Sequence, residues 1–375
     1  MTRRSTSALL LLLLGPTALL AQATPPRDPD DAAALQHLAV TFDLLRGRTA
    51  AEFAIASPNG IDEAQYLRVG GIEQWVTIRG EDRGNPVVLF LHGGPGDATN
   101  PWGYAAFDSW LDRFTVVQWD QRGAGRTLSK NGPESAAGLT LERLADDGVE
   151  LTEALERTLG KERIILVGHS FGSILGVSMA MKRPDLFYAY VGTGQVADPT
   201  RTYTVAYQAI MDEAKKRGQA SALEELEAVG PPPYQDGSGF AVQRRWANRF
   251  EHADFLIAAM MGFALRAPGY TIGDINDWIE GQSLSAQALV PQTSTLSATA
   301  LGRTFDIPVF VLQGASDFTT PTLLAQEWVA SIRAPIKEFV AIEGAGHFAV
   351  FTDAEWFVHA LATRVEPLLN DSDPR

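Results

Sequence analysis

Ile164-Ile165-Leu166-Val167 runs directly into Gly168-His169-Ser170-Phe171-Gly172, and a helix-forming stretch over 174–181 follows. Four consecutive apolar residues, three of them β-branched, bounded by glycine, form the pattern of a strand buried on both faces. Glycines two residues before and after the serine let backbones approach where a side chain would collide. A sharp strand-to-helix turn at that spacing lifts a serine hydroxyl above the sheet edge. The helix that follows aims its free N–H groups and the positive end of its dipole at the same point, which favours negative charge there. Strand, Gly-x-Ser-x-Gly and helix together predict a nucleophile, Ser170, at the C-terminal edge of a mostly parallel sheet.

Working outward, strand character recurs over 66–69, 74–78, 87–91, 115–119, 164–167 and 189–192, with helical spacing between several of them. Residues 141–159 carry Leu144, Val149, Leu151, Leu155 and Leu159 at near-helical intervals, and Gly160 stands in the position that ends a helix. Buried strands alternating with helices predict an α/β fold, its sheet covered by helices on both faces. The alternation stops near residue 196. Helix-forming stretches over 207–217 and 221–229 and the breaker Pro231-Pro232-Pro233 take its place, and strands resume over 309–312 and 339–342. The expected organisation is an N-terminal helix and linker over 24–59, a core in two parts over 60–195 and 302–375, and a helical cap inserted over 196–301. A last helix is expected from about residue 352, where Thr352-Asp353-Ala354-Glu355 fits a capping box.

The chain's 375 residues are 45% hydrophobic and 20% charged, enough apolar content to bury a large core. Forty-five acidic against 31 basic residues give a formal charge of −14, which repels nucleic-acid backbones and anionic lipid surfaces. The absence of cysteine excludes disulfides, thiolate nucleophiles, zinc–thiolate sites and iron–sulfur clusters. Arg3 and Arg4 precede an apolar run over 8–20, and Ala21-Gln22-Ala23 follows. That three-part pattern predicts a signal peptide over 1–23, cleavage after Ala23 and a periplasmic or extracellular protein without a stable membrane attachment. The run is shorter than the roughly 20 apolar residues of a membrane span.

A serine hydroxyl is a weak nucleophile at neutral pH and needs a base held by a third group. Of six histidines, His347 lies in Glu343-Gly344-Ala345-Gly346-His347-Phe348, a glycine-bearing loop after the strand over 339–342, and is the expected base. Asp317, in Gln313-Gly314-Ala315-Ser316-Asp317-Phe318, follows the strand over 309–312 in the same manner. The order Ser170, Asp317, His347 is that of α/β-hydrolases. Two backbone N–H donors for a developing oxyanion are expected at Phe171 and at Gly94, in His92-Gly93-Gly94-Pro95-Gly96. His92 and His169 read as structural braces. No metal-binding His-Glu-x-x-His helix and no phosphate loop occurs, so neither metal nor cofactor is expected.

His92-Gly93-Gly94-Pro95-Gly96, Asp120-Gln121-Arg122-Gly123-Ala124-Gly125-Arg126-Thr127 and Gly168-His169-Ser170-Phe171-Gly172 together resemble the proline iminopeptidase group of α/β-hydrolases. That serine peptidase family also contains tripeptidyl aminopeptidases, and the resemblance covers about residues 60 to 370. It implies Ser170 as nucleophile, Asp317 as acid, His347 as base, Gly94 and Phe171 as oxyanion donors, and Asp120 and Arg122 as structural braces. It also implies an acidic residue in the helical insert, within a stretch ending Trp-Glu, that binds the substrate's free amine. The nearest match is Trp246-Ala247-Asn248-Arg249-Phe250-Glu251, with phenylalanine before the glutamate and altered spacing. Glu251 is thus the candidate amine anchor, and Trp246 and Phe250 are candidates to line the substrate site. Two further readings stay open: a carboxylesterase of small or hydrophobic esters, and a non-catalytic binding protein on the same fold. The expected partner is a small molecule or short peptide.

Overall fold

Residues 29–234 and 237–370 are described by a computed structural model; the signal peptide expected over 1–23 lies outside the described residues. Helix α1 (Pro29–Glu52) precedes strands β1 (Ile61–Val69), β2 (Ile72–Gly80) and β3 (Val87–Leu91). Then come α2 (Asn100–Ala106), β4 (Thr115–Trp119), α3 (Gly125–Asn131), α4 (Leu141–Leu159), β5 (Ile164–His169), α5 (Phe171–Lys182) and β6 (Phe187–Thr193). Helices α6 (Pro199–Arg217), α7 (Ala220–Val229), α8 (Gly237–Phe250), α9 (Ala253–Leu265), α10 (Ile272–Thr293) and α11 (Ala298–Leu301) lie between β6 and β7 (Val309–Gly314). The chain ends with α12 (Thr322–Ser331), β8 (Lys337–Ile342), α13 (Ala349–Thr352) and α14 (Ala354–Val365).

Eight strands form one sheet in the order β1-β2-β4-β3-β5-β6-β7-β8. The pairs β1–β2 and β2–β4 are antiparallel, and every later pair is parallel. Period-two alternation sends Val87, Leu89 and Leu91 to one face, among Leu144, Leu151, Leu155, Leu175 and Trp328. Val88 and Phe90 face the other way, among Phe107, Trp110, Phe357 and Leu361. Both faces are covered, which is why β3 and β5 read as unbroken apolar runs.

Several strands extend one or two residues beyond the bounds read from the sequence, and three differences go further. Strand β1 begins at Ile61 rather than 66, because its first residues, including Asp62 and Glu63, sit on a sheet edge where polar side chains reach water. Helix α6 begins at Pro199, eight residues early, behind a threonine-rich first turn with weak helix propensity. The capping box expected at Thr352 is not formed. Residues 349–352 are already helical, so the Thr352 hydroxyl donates back to Phe348 O at 3.2 Å, and Asp353 precedes α14 without a side-chain cap. A reciprocal box stands instead at Thr271 and Asp274, opening α10. No helix among the described residues is long and apolar enough to cross a membrane.

Candidate active site

All the expected catalytic side chains lie just past the C-terminal ends of parallel strands: Ser170 after β5, Asp317 after β7 and His347 after β8. At Ser170 the backbone takes φ 54°, ψ −124°, a conformation that ordinary side chains rarely adopt. The turn admits only glycine on either flank. A Cβ at Gly168 would lie 2.5 Å from Gly172 O, and one at Gly172 would lie 2.2 Å from Leu91 O. The strained turn is held by the Ser170 N–H donating to Thr193 O at 3.1 Å, while α5 starts at the next residue.

His347 joins the other two. Its Nε2 is 3.0 Å from Ser170 Oγ and its Nδ1 is 3.0 Å from Asp317 Oδ2. Asp317 is buried and accepts further bonds from the Thr319 and Thr320 N–H groups at 2.9 and 2.7 Å, and from the Thr320 hydroxyl at 2.8 Å. Burial pushes the Asp317 carboxyl up, to about 6, against those bonds, which favour its charged form. Burial pushes His347 down, to about 3, helped by the nearby Arg244 guanidinium and opposed by Glu251. A neutral imidazole with one nitrogen facing a buried carboxylate and the other a serine hydroxyl can take the hydroxyl proton as the oxygen attacks a carbonyl carbon.

The loop after β3 packs against this turn, for a Cβ on Gly93 would sit 2.9 Å from Ser170 Cβ. Gly94 is exposed at φ 108°, and Phe171 opens α5, where a helix's first N–H groups have no intrahelical acceptor. Behind the loop, His92 is fully buried, its Nδ1 3.0 Å from Gly93 O and its Nε2 accepting from the Gln121 N–H at 3.3 Å. Asp120 accepts from Asn100 Nδ2 and the Arg126 N–H. His169 turns away from the serine, its Nε2 3.1 Å from His347 O.

Glu251 is brought to the same place. Its two carboxylate oxygens accept the backbone N–H groups of Phe318 at 2.8 Å and His347 at 2.6 Å. Burial and the neighbouring Asp317 push its carboxyl up, to about 7. Phe250 packs on Phe318, with ring centroids 6.4 Å apart. Trp246 is not brought to the triad: it is buried among Ile210, Leu226 and Ala247, and its indole N–H goes to Glu225 on α7. Sequence reasoning missed Thr320 and Arg244. Thr320 had a signal, since Asp317-Phe318-Thr319-Thr320 is an Asx-turn sequence; Arg244, on a helix far along the chain, had none. A surface cavity of about 420 Å³, lined by residues including Arg122, Asn131 and Arg143, contains none of the three catalytic candidates. No cluster of three or more metal-ligating side chains occurs among the described residues.

Residues 86–354 match the family model described as alpha/beta hydrolase fold. The chain is 30% identical over 304 residues to the "Probable aminopeptidase" of Bacillus subtilis, covering 79% of this chain and 94% of that one. It is 28% identical to the "Probable proline iminopeptidase" of Streptomyces coelicolor, covering 75% and 88%. Among solved structures, a proline iminopeptidase-related protein from Thermus thermophilus superposes with a TM-score of 0.59 at 21% identity, over 82% of this chain and 99% of that one. An esterase from Exiguobacterium antarcticum superposes with a TM-score of 0.52 at 17% identity, over 81% and 100%. The last two likenesses are of fold.

Proposed function

The chain belongs to the α/β-hydrolase family and is a serine hydrolase of the proline iminopeptidase-like group, and from that premise we propose an exported aminopeptidase that cleaves short peptides through an acyl-enzyme on Ser170. The observation that carries the acyl-enzyme chemistry is the unbroken line Ser170 Oγ, His347, Asp317, with 3.0 Å at each step, and the likeness to aminopeptidases supports a peptide substrate. Ser170 Oγ attacks the carbonyl carbon as its proton passes to His347 Nε2, and the carbonyl oxygen becomes an anion held by the Gly94 and Phe171 N–H groups. Collapse expels the amine, which takes the proton from His347. Water then attacks the ester with His347 again as base, releasing the acid and restoring Ser170.

Residues 196–301 serve as a cap over this site. Contacts from that segment to the core loops support the role: Trp278 Nε1 and Gln282 Nε2 donate to Asp97, beside the Gly94 loop, and Glu251 reaches the His347 loop. The Arg3-Arg4, apolar run and Ala-Gln-Ala pattern supports export. A carboxylesterase is the second reading, favoured by one observation: both Glu251 oxygens are already engaged by backbone N–H groups, which leaves a substrate amine weaker claim on them.

The test is a paired assay of mature protein and Ser170→Ala on a prolyl or alanyl p-nitroanilide with a free amine, its N-acetylated form, and p-nitrophenyl acetate. The aminopeptidase reading expects release from the free-amine amide, little from the acetylated form, and a loss of about 10⁴-fold or more in kcat on substitution. Ester turnover lost in Ser170→Ala without amide turnover supports the esterase instead. Activity that survives the substitution overturns the nucleophile assignment.

A further inference from the structure

Glu251 leaves the end of α8, its own N–H still donating to Ala247 O at 3.0 Å, and sends its side chain out of the helical segment to the sheet edge. There Oε1 takes the N–H of Phe318, the residue after Asp317, and Oε2 takes the N–H of His347 itself. One carboxylate therefore closes a ring through the two loops that carry acid and base. These partners stand 67 and 96 residues away in sequence. The seat for the carboxylate is built as well. A Cβ on Gly346 would lie 2.6 Å from Oε2 and 2.8 Å from Cγ of Glu251, so only glycine allows this approach. Hydrogen bonds from backbone N–H groups to a carboxylate are shorter and roughly twice as strong as neutral ones, which suits the group to hold two loops in register.

Granted the Ser170-centred reading above, we propose that Glu251 is a positioning residue whose carboxylate fixes the Asp317 and His347 loops at the separation the imidazole must bridge, and ties that separation to the helical segment. It acts through the two backbones and touches none of the reacting atoms. Its influence must then be felt by substrates with and without an amine, and must fall on the chemical step. A residue that only anchors an amine does the reverse: it changes KM, and only for substrates that carry the amine.

Two variants separate these roles. Glu251→Gln presents an NH2 donor to one of the two backbone donors, so one bond of the ring is lost with little change of shape. Gly346→Ala leaves the charge in place and pushes the carboxylate off its seat. Each is compared with wild type and Ser170→Ala on p-nitrophenyl acetate, on a free-amine prolyl p-nitroanilide, and in its rate of labelling by an alkyl fluorophosphonate, with the melting temperature measured alongside. The expected result for both variants is a melting temperature near wild type, KM for the acetate within twofold, and kcat and labelling rate down by about tenfold or more. Three results overturn the proposal: a loss confined to the free-amine substrate and expressed in KM; acetate and labelling rates within twofold of wild type; or rate losses that track a fall in melting temperature in both variants. Labelling of Ser170→Ala at the wild-type rate would instead strike the reading on which the proposal rests, so the two failures are distinguishable.

Discussion

Thr320 braces two of the three candidate catalytic side chains and takes no part itself in the proposed chemistry. Its hydroxyl donates to Asp317 Oδ2 at 2.8 Å and lies 3.2 Å from His347 Nδ1, while its N–H donates to Asp317 Oδ1 at 2.7 Å. Thr320→Val keeps the shape and the N–H bond and removes only the hydroxyl. A hydrogen bond to a charged group contributes about 1.5–3 kcal/mol, so the buried carboxylate loses stabilisation of that order and its pKa rises further. A protonated Asp317 no longer orients the imidazole. The variant should show kcat/KM down about tenfold near neutrality and its acid limb displaced to higher pH. A pH–rate profile superposable on wild type would detach the Thr320 hydroxyl from catalysis. The candidates Ser170, Asp317 and His347, which the fold brings within hydrogen-bond reach of one another, were legible in sequence because each sits in a short local pattern: a glycine-flanked serine between strand and helix, and two polar residues just past apolar strands. The Glu251 bonds could not, since they exist only when residues 67 and 96 positions apart are folded together.

At the scale of elements, what was legible followed burial. Strands β3 and β4 are buried at every residue and their bounds match the sequence reading, as do those of α4, which Thr140 caps and the left-handed Gly160 ends. The edge strand β1 and the first turns of α6 were shortened in that reading because solvent or weak helix formers masked their periodicity. Nor could apolar spacing announce how α4 is tied to the sheet. Its Asp147 is fully buried and accepts from Gln74 Nε2 on β2 at 3.0 Å, from Arg122 Nε at 2.7 Å and from Arg143 Nη2 at 2.6 Å. Arg122 also donates to Gly70 O at the β1–β2 turn, at 2.8 Å. Asp147→Ala leaves the mostly buried Arg122 guanidinium without its counter-charge, a change that costs about 3–5 kcal/mol. Urea denaturation should report a lower midpoint at unchanged slope. A loss below about 0.5 kcal/mol, the range of ordinary surface substitutions, would show that the pair contributes nothing beyond what water supplies to Arg122.

Over the whole molecule, the response to acid is set by buried ionisable groups that pull in opposite directions. Burial pushes His92 down to about 4 and His169 to about 3, while it pushes the Asp97 and Asp120 carboxyls up to about 6 and about 7. For the histidines, the unfolded chain takes up protons below pH 6.5 and the folded chain does not, so their contribution is complete above 6.5 and drains away as pH falls toward 4. For the two aspartates the folded chain takes up protons first. The cost of burying their charge is present above pH 6–7 and is relieved on the way down to 3.8, the unfolded value. The two slopes occupy the same window and oppose each other, so these four groups together change stability little between pH 6.5 and 4.5. Removing one member exposes the balance. His92→Gln cannot titrate, and its amide can still accept the Gln121 N–H and donate to Gly93 O, the two bonds that the imidazole makes. Wild type minus variant, measured by urea denaturation from pH 7.5 to 4, should fall by about 3 kcal/mol, all of it below pH 6.5. A difference that stays constant with pH would mean that His92 takes up its proton equally in folded and unfolded chains. In that case the loop that carries Gly94 would be open to water rather than braced by a neutral ring.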